Sequence, residues 1–551
     1  MNTLPRCYFL QCVSYLLLVF SLSFISAAEA SDSVASLQAS LGLLKQTSMT
    51  ARKQAITQLG EGHQPRSLAI LHALLVGQLF IIKSTDKMVI AEAQAEQAFT
   101  VYEAESNQDL GQFSGAELSK ISLTNALRSQ VRKLIAELEI NAEHPATRLA
   151  ALKKCDATVD EHLLSIIKAR LPIETDAQVK QAIQQVLLLQ HMTQGAKGER
   201  IAAIKVLKNE DSLAVVNQLK TFVEKDSEGQ YLEMDADIRH VAEAALTTIT
   251  QRMQWYAGIE TIFFGLSLGA VLVLSAIGLA ITFGVMGVIN MAHGELMMLG
   301  AYTTYVLQQL LPNHTGLSLL LAIPAAFLMS AAVGMLIERG IIRFLYGRPL
   351  ETLLATFGVS LLLQQLVRSI FSPLNKSVAT PQWLSGSWQV NDFLSLTWNR
   401  FYILVFCLVV FVALMQILKR TRLGLEVRAV AQNRTMAKAM GIPTARVDAL
   451  TFGLGSGIAG VAGVALSQIT NVGPNLGQAY IVDSFMVVVF GGVGNLLGTL
   501  VAGFSLGIAN KFLEPFAGAV LAKIVLLIFI ILFIQKHPRG LFPQKGRAAD
   551  S

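Results

Sequence analysis

The sequence predicts an all-α protein in two parts: an exported helical domain of HEAT-like repeats, then a polytopic membrane domain of about eight spans or broken spans. Three observations lead there. Apolar residues make up 53% of the 551 positions and charged residues only 15%, which excludes an ordinary soluble protein. Only ten of the 38 acidic residues lie after Ala257, so the polar and apolar halves are distinct. In the second half, long apolar segments follow one another with little between them. The formal net charge of +6 is therefore no nucleic-acid footprint, and no nucleic-acid partner is expected.

Residues 1–30 have the pattern of a secretory signal. Arg6 supplies the positive start, and 13–25 is an apolar core shorter than the roughly 20 residues a spanning helix needs. Ala28-Glu29-Ala30 is a small-x-small cleavage site. The alternative is an uncleaved anchor. Cys155 and Cys407 stand one in each half after the signal, so neither a disulfide framework nor a cysteine metal site is expected.

Residues 31–255 are expected to form a periplasmic helical-repeat domain. Thr147-Arg-Leu-Ala-Ala-Leu152 matches Glu199-Arg-Ile-Ala-Ala-Ile204, and Ala51-Arg-Lys-Gln-Ala-Ile56 is a looser copy. Each opens an apolar i, i+3, i+4 run followed by a second one. Helix pairs at such a period suggest a solenoid that binds a protein along one face. An irregular bundle is the alternative. The half shows no clustered carboxylates, paired histidines or phosphate loop, and no enzyme activity is expected.

The membrane domain is assigned to 256–543, with a cytoplasmic tail at 544–551. Spans are expected near 259–285, 290–310, 317–337, 352–371, 400–418, 449–470 and 517–535. The apolar region 481–511 is interrupted at Gly491-Gly-Val-Gly-Asn495 and reads as a broken hairpin. With the first domain outside, the loops 338–351 and 419–448 and the tail face the cytoplasm. They hold 14 of the 19 Lys and Arg residues after Ala257, as the positive-inside tendency requires.

Polar groups inside spans are candidates for a transport path. Thr356, Ser360 and Gln364 recur every four residues and form one stripe; interhelical hydrogen bonding is the competing reading. Gly453, Gly457, Gly460 and Ser467 share a face, which reads as close helix packing. Asn290, His293 and Glu295 crowd into six positions. At 100° per residue, His293 points about 160° from Glu295, so the two cannot work as an acid–base pair on one helix. No second ligand sits at i+4, so no metal site is expected. Asn290 suits a cap and Glu295 the positive end of a helix dipole, while a pathway mouth is the functional alternative. Gly287-Val-Ile-Asn290 also resembles Gly492-Val-Gly-Asn495, which adds Asn495 to the candidates; paired interruptions of this kind point to a transporter's site.

Three stretches, 287–302, 421–442 and 491–498, resemble the motifs of branched-chain amino acid type ABC importer permeases, in the same order. The resemblance covers about 258–543. Within that family the chain is most similar to urea permeases, on the long N-terminal extension, on 354–373 and on Trp383-Leu-Ser-Gly386. The resemblance implies a heteromeric importer in a bacterial inner membrane, completed by a second homologous permease, two cytoplasmic ATPase subunits and a periplasmic binding protein. The chain has no G-x-x-x-x-G-K-[ST] match and needs no cofactor of its own; ATP would be hydrolysed by partners. The family's coupling loop maps onto 426–441. Here 429–440 reads as one short helix ending at Gly441, with Glu426, Arg428 and Arg434 as further candidates for contact with an ATPase groove. Alternatives are a branched-chain amino acid permease and a passive urea or amide channel.

Overall fold

The computed structural model describes residues 37–46, 48–61, 66–93, 98–155 and 160–542. The expected signal (1–30) and tail (544–551) lie outside them. The chain forms two compact units, 1–210 with 214–248 and 211–213 with 249–551.

The first unit opens with helices α1 (37–45), α2 (Met49–Glu61) and α3 (Ser67–Val76). Five strands follow: β1 (Leu79–Ile82), β2 (Met88–Ala93), β3 (Ala98–Glu103), β4 (Asp109–Ser114) and β5 (Leu118–Lys120). They make one antiparallel sheet in the order β4-β3-β2-β1-β5. This sheet corrects the all-α expectation. Its strands are β-branched and aromatic, such as Leu79-Phe-Ile-Ile82 and Phe99-Thr-Val-Tyr102. Asp86 and Asn107 turn between them at φ 52° and 62°, a region those two residue types tolerate.

Helices α4 (Asn125–Ile140), α5 (Pro145–Lys153), α6 (Glu161–Arg170), α7 (Ala177–Gln194), α8 (Lys197–Leu207) and α9 (Leu213–Val223) complete the chain up to the long helix. The three repeat copies fall in α2, α5 and α8, each followed by a second helix. In the chain the sheet stands between the first copy and the second, while α2 and α3 pack directly against α4. Arg148 and Glu174 are both buried and share a two-pronged ion pair at 2.9 and 2.7 Å. The guanidinium holds the Glu174 carboxyl down to about 2.

Helix α10 (Ala236–Met286) becomes strongly apolar after residue 259. Then come α11 (His293–Leu310), α12 (Thr315–Gly340), α13 (Pro349–Phe371), the hairpin β6 (Ser387–Asn391) and β7 (Leu394–Thr397), and α14 (Trp398–Arg420). Two short helices, α15 (Arg422–Gln432) and α16 (Arg434–Ala439), lead into α17 (Thr444–Ser467), α18 (Leu476–Gly491) and α19 (Leu496–Lys536). Six of these helices are long and apolar enough to cross a membrane: α10, α12, α13, α14, α17 and α19. Shorter or more polar, α11 and α18 fill the remaining expected positions. The hairpin breaks at 492–495, and α19 itself kinks at Gly518 (φ 78°), three residues after Pro515.

Burial separates the helices by role. The apolar window of α17 is 89% buried and that of α14 only 22%, so α17 is the central post and α14 faces outward. Small residues make that centre possible. A Cβ on Gly300 of α11 would lie 2.0 Å from the Gly460 carbonyl oxygen of α17. The face of Gly453, Gly457 and Gly460 packs against Met335, Phe327 and Ser330 of α12, which is the close packing expected of it.

Candidate substrate site at the seam of two helices

The start of α11 is built from a break. Gly287 ends α10 in the left-handed region at φ 66°, where a glycine carries no penalty. Asn290 braces the turn and is not itself the helix cap, a position that falls to Ala292. The Asn290 Oδ1 accepts from the Ala292 N–H at 3.0 Å and its carbonyl from the His293 N–H at 3.3 Å. Gly294 lets this end press against α18, since a Cβ there would lie 2.4 Å from the Gly477 carbonyl oxygen.

The stripe on α13 faces this element. Thr356 Oγ1 accepts from the Met291 N–H at 3.1 Å. Ser360 Oγ donates to Glu295 Oε1 at 3.0 Å, and Gln364 Nε2 donates to the same oxygen at 2.6 Å. Two groups of candidates some 65 residues apart thus form one buried cluster. Glu295 is 1% exposed, and Ser360 and Gln364 are 3% exposed. Interhelical hydrogen bonding therefore holds for the stripe, but it leaves a remainder. Glu295 Oε2 has no partner among the described residues. A buried carboxylate oxygen without a donor is costly, and such a group is a functional candidate.

Tyr302 extends the seam. It lies seven residues beyond Glu295, on the same helix face. Its ring packs on Phe371 of α13 at 4.7 Å, and its buried hydroxyl also lacks a partner among the described residues. The i+7 spacing was visible in the sequence; the unmet hydroxyl was not.

His293 turns the other way. Its Nε2 donates to the Ser275 carbonyl of α10 at 2.8 Å, and its Nδ1 has no partner among the described residues. Ser275 Oγ in turn meets Ser484 Oγ of α18 at 2.8 Å. His293 belongs to the α10–α18 packing and not to the Glu295 cluster.

Asn495 is also placed elsewhere. It caps α19, accepting from the Gly498 N–H at 3.1 Å, and its Nδ2 donates to the Phe542 carbonyl at 3.2 Å. It binds the chain's C-terminal segment and makes no contact with the buried cluster.

The 426–441 loop is two helices and not one. Asn433 interrupts it, since its Oδ1 caps α16 by accepting from the Met436 N–H at 3.0 Å. Glu426 is half-buried on α15, and Arg428 Nε donates to Gly424 O within the same helix at 3.2 Å. Arg434 pairs with Asp448, and Gly441 closes α16 at φ 86°. Among the described residues no group of three or more His, Cys, Asp or Glu could hold a metal ion.

The family model described as branched-chain amino acid transport system / permease component matches residues 261–534. The high-affinity branched-chain amino acid transport system permease protein LivH of Escherichia coli K12 is 31% identical over 293 residues, covering 51% of this chain and 94% of the relative. BraD of Pseudomonas aeruginosa, of the same description, is 30% identical over 296 residues, covering 52% and 96%. LivM of Escherichia coli K12, also described as a permease protein of that system, is 24% identical over 305 residues, covering 50% and 69%. No solved structure matches. The matched region holds both helix breaks, the α11–α13 seam and the two short helices, and the chain accordingly belongs to the family of branched-chain amino acid transport permeases, multi-pass proteins of the inner membrane.

Proposed function

We propose that the chain is one permease subunit of a multi-subunit ABC importer and that its substrate is urea. The observation that carries this reading is the buried Glu295 carboxylate, bonded by Ser360 and Gln364 and left with one oxygen unpartnered. Urea is small and neutral, with four N–H bonds and one carbonyl. A carboxylate oxygen, a hydroxyl and a carboxamide can meet those groups without a fixed cation. The stripe comes from 354–373, the segment by which the chain resembles urea permeases.

In this reading the transport path opens along the α11–α13 seam, beside a second homologous permease. Two ATPase subunits hydrolyse ATP on the cytoplasmic side and contact α15 and α16. A periplasmic binding protein delivers substrate, and the first unit stands in the periplasm. The chain itself needs no cofactor or metal and catalyses no reaction. Labelled-urea uptake in a strain lacking the gene tests the substrate. Uptake at limiting urea should fall and return with the gene; unchanged uptake sinks it.

A branched-chain amino acid is the second reading. The relatives are described as transporting such amino acids. Arg368, one turn beyond Gln364, donates to Asn475 Oδ1 at 2.6 Å and offers a guanidinium that an amino acid carboxylate could meet. Inhibition of uptake by leucine, and not by urea, would select it.

A further inference from the structure

Arg434 occupies a node that ties the short helix α16 to two membrane helices. Its guanidinium forks onto Asp448, with Nη1 at 3.2 Å from Oδ1 and Nη2 paired with Oδ2. The same group lies over the Tyr346 ring, 4.3 Å from its centroid. Tyr346 in turn donates its hydroxyl to Glu338 Oε1 at 3.5 Å. Asp448 is fully buried in the first turns of α17, and Glu338 is 1% exposed near the end of α12. Glu338 Oε2 has no partner among the described residues. Asp448 thus takes its cation from the loop, and Glu338 joins the same node through the Tyr346 hydroxyl.

Both helices bear on the substrate seam. The Gly460 carbonyl of α17 abuts Gly300 of α11, and Gly463 abuts Met297 O. From α12, Ser330 Oγ donates to the Leu296 carbonyl at 3.0 Å. Leu296 follows Glu295 directly. Contacts therefore run without a gap from Arg434 through α12 and α17 to the residue beside the buried carboxylate. The other side of the loop is held differently. Val427 and Val430 of α15 pack among apolar neighbours, including Val447 and Val285. Apolar contacts slide, whereas a forked ion pair with a stacked ring fixes position and angle.

We propose that Arg434 is a positioning residue that converts displacement of α16 into movement of α12 and α17 against α11. It would couple ATP hydrolysis in a partner subunit to opening of the Glu295 seam. The inference rests on the importer reading given above.

The test uses the complex purified from membranes through a tag on this chain, then reconstituted in vesicles of phosphatidylethanolamine and phosphatidylglycerol. ATP hydrolysis is measured together with uptake of labelled urea or leucine, whichever the unaltered complex carries. Arg434→Ala should retain its ATPase subunits and hydrolysis while uptake per ATP falls roughly five- to tenfold, within the usual range of coupling between sites. Arg434→Lys, which restores the charge without the fork, should recover part of the loss. Asp448→Asn should resemble Arg434→Ala. Unchanged uptake per ATP in Arg434→Ala overturns the proposal. So does loss of the ATPase subunits from that variant, which would make Arg434 a docking residue. An unaltered complex that carries no ATPase subunit overturns the importer reading itself, and the node with it.

Discussion

The two helix breaks of the membrane unit share a plan and diverge in use. Each ends a helix at a glycine with positive φ, Gly287 at 66° and Gly492 at 101°. In each an asparagine side chain accepts a backbone N–H at the turn into the next helix, Asn290 from Ala292 and Asn495 from Gly498. After the first break the helix carries Glu295 into a buried cluster with α13. After the second it carries Leu496 and Leu497, and the break is tied down by the C-terminal segment: Asn495 Nδ2 and the Gly491 carbonyl both bond the Phe542 backbone. The same backbone device thus serves a polar seam in one place and a structural clasp in the other. The turn makes a helix start possible; the residues behind it decide what that start can do.

The comparison breaks first where the two helix starts are most alike. A Cβ at Gly294 would lie 2.4 Å from Gly477 O, and one at Gly498 2.1 Å from Gly491 O. Overpacking of this kind costs about 1–3 kcal/mol and occasionally more. Gly294→Ala and Gly498→Ala should therefore both lower the midpoint of thermal unfolding in detergent by similar amounts. A normal midpoint for either would mean that its crossing can relax.

Glu295→Ala should separate the two regions. It leaves the Ser360 and Gln364 donors facing an empty place, at a cost of about 1–3 kcal/mol. Uptake per folded molecule should fall by about tenfold, the effect of losing one hydrogen bond to substrate worth about 1.4 kcal/mol. Uptake at the unaltered level would remove Glu295 from the path.

The smallest effect belongs to the second break. Asn495→Ala removes a cap, worth about 1 kcal/mol of stability. Its uptake per folded molecule should stay within about twofold. A fall as large as that for Glu295→Ala would place the second break in the path as well.

Much of this arrangement could be read from the residues. Helical spacing alone split His293 from Glu295 and aligned Thr356, Ser360 and Gln364. The glycine cluster at 491–494 marked the hairpin break, and the small face of α17 marked its packing. What could not be read was pairing at long range. Nothing local says that Ser360 meets Glu295, that Asn495 clasps Phe542, or that Arg434 answers a carboxylate 14 residues on. The sheet at 79–120 was legible in part, through Asp86 and Asn107 set between β-branched runs, but the helical repeats on either side outweighed it. The single helix expected at 429–440 missed the competition between the Asn433 side chain and the helical backbone.

The most direct test of the α11–α13 seam is protection of a cysteine by substrate. Cys7, Cys12, Cys155 and Cys407 are replaced, and a single cysteine is placed by Ser360→Cys or by Asn495→Cys in the reconstituted, ATP-driven complex. Labelling by a small membrane-permeant thiol reagent is then followed with and without urea. The account predicts that urea slows labelling at position 360 and leaves position 495 unaffected. Equal protection at both positions, or none at 360, would contradict it.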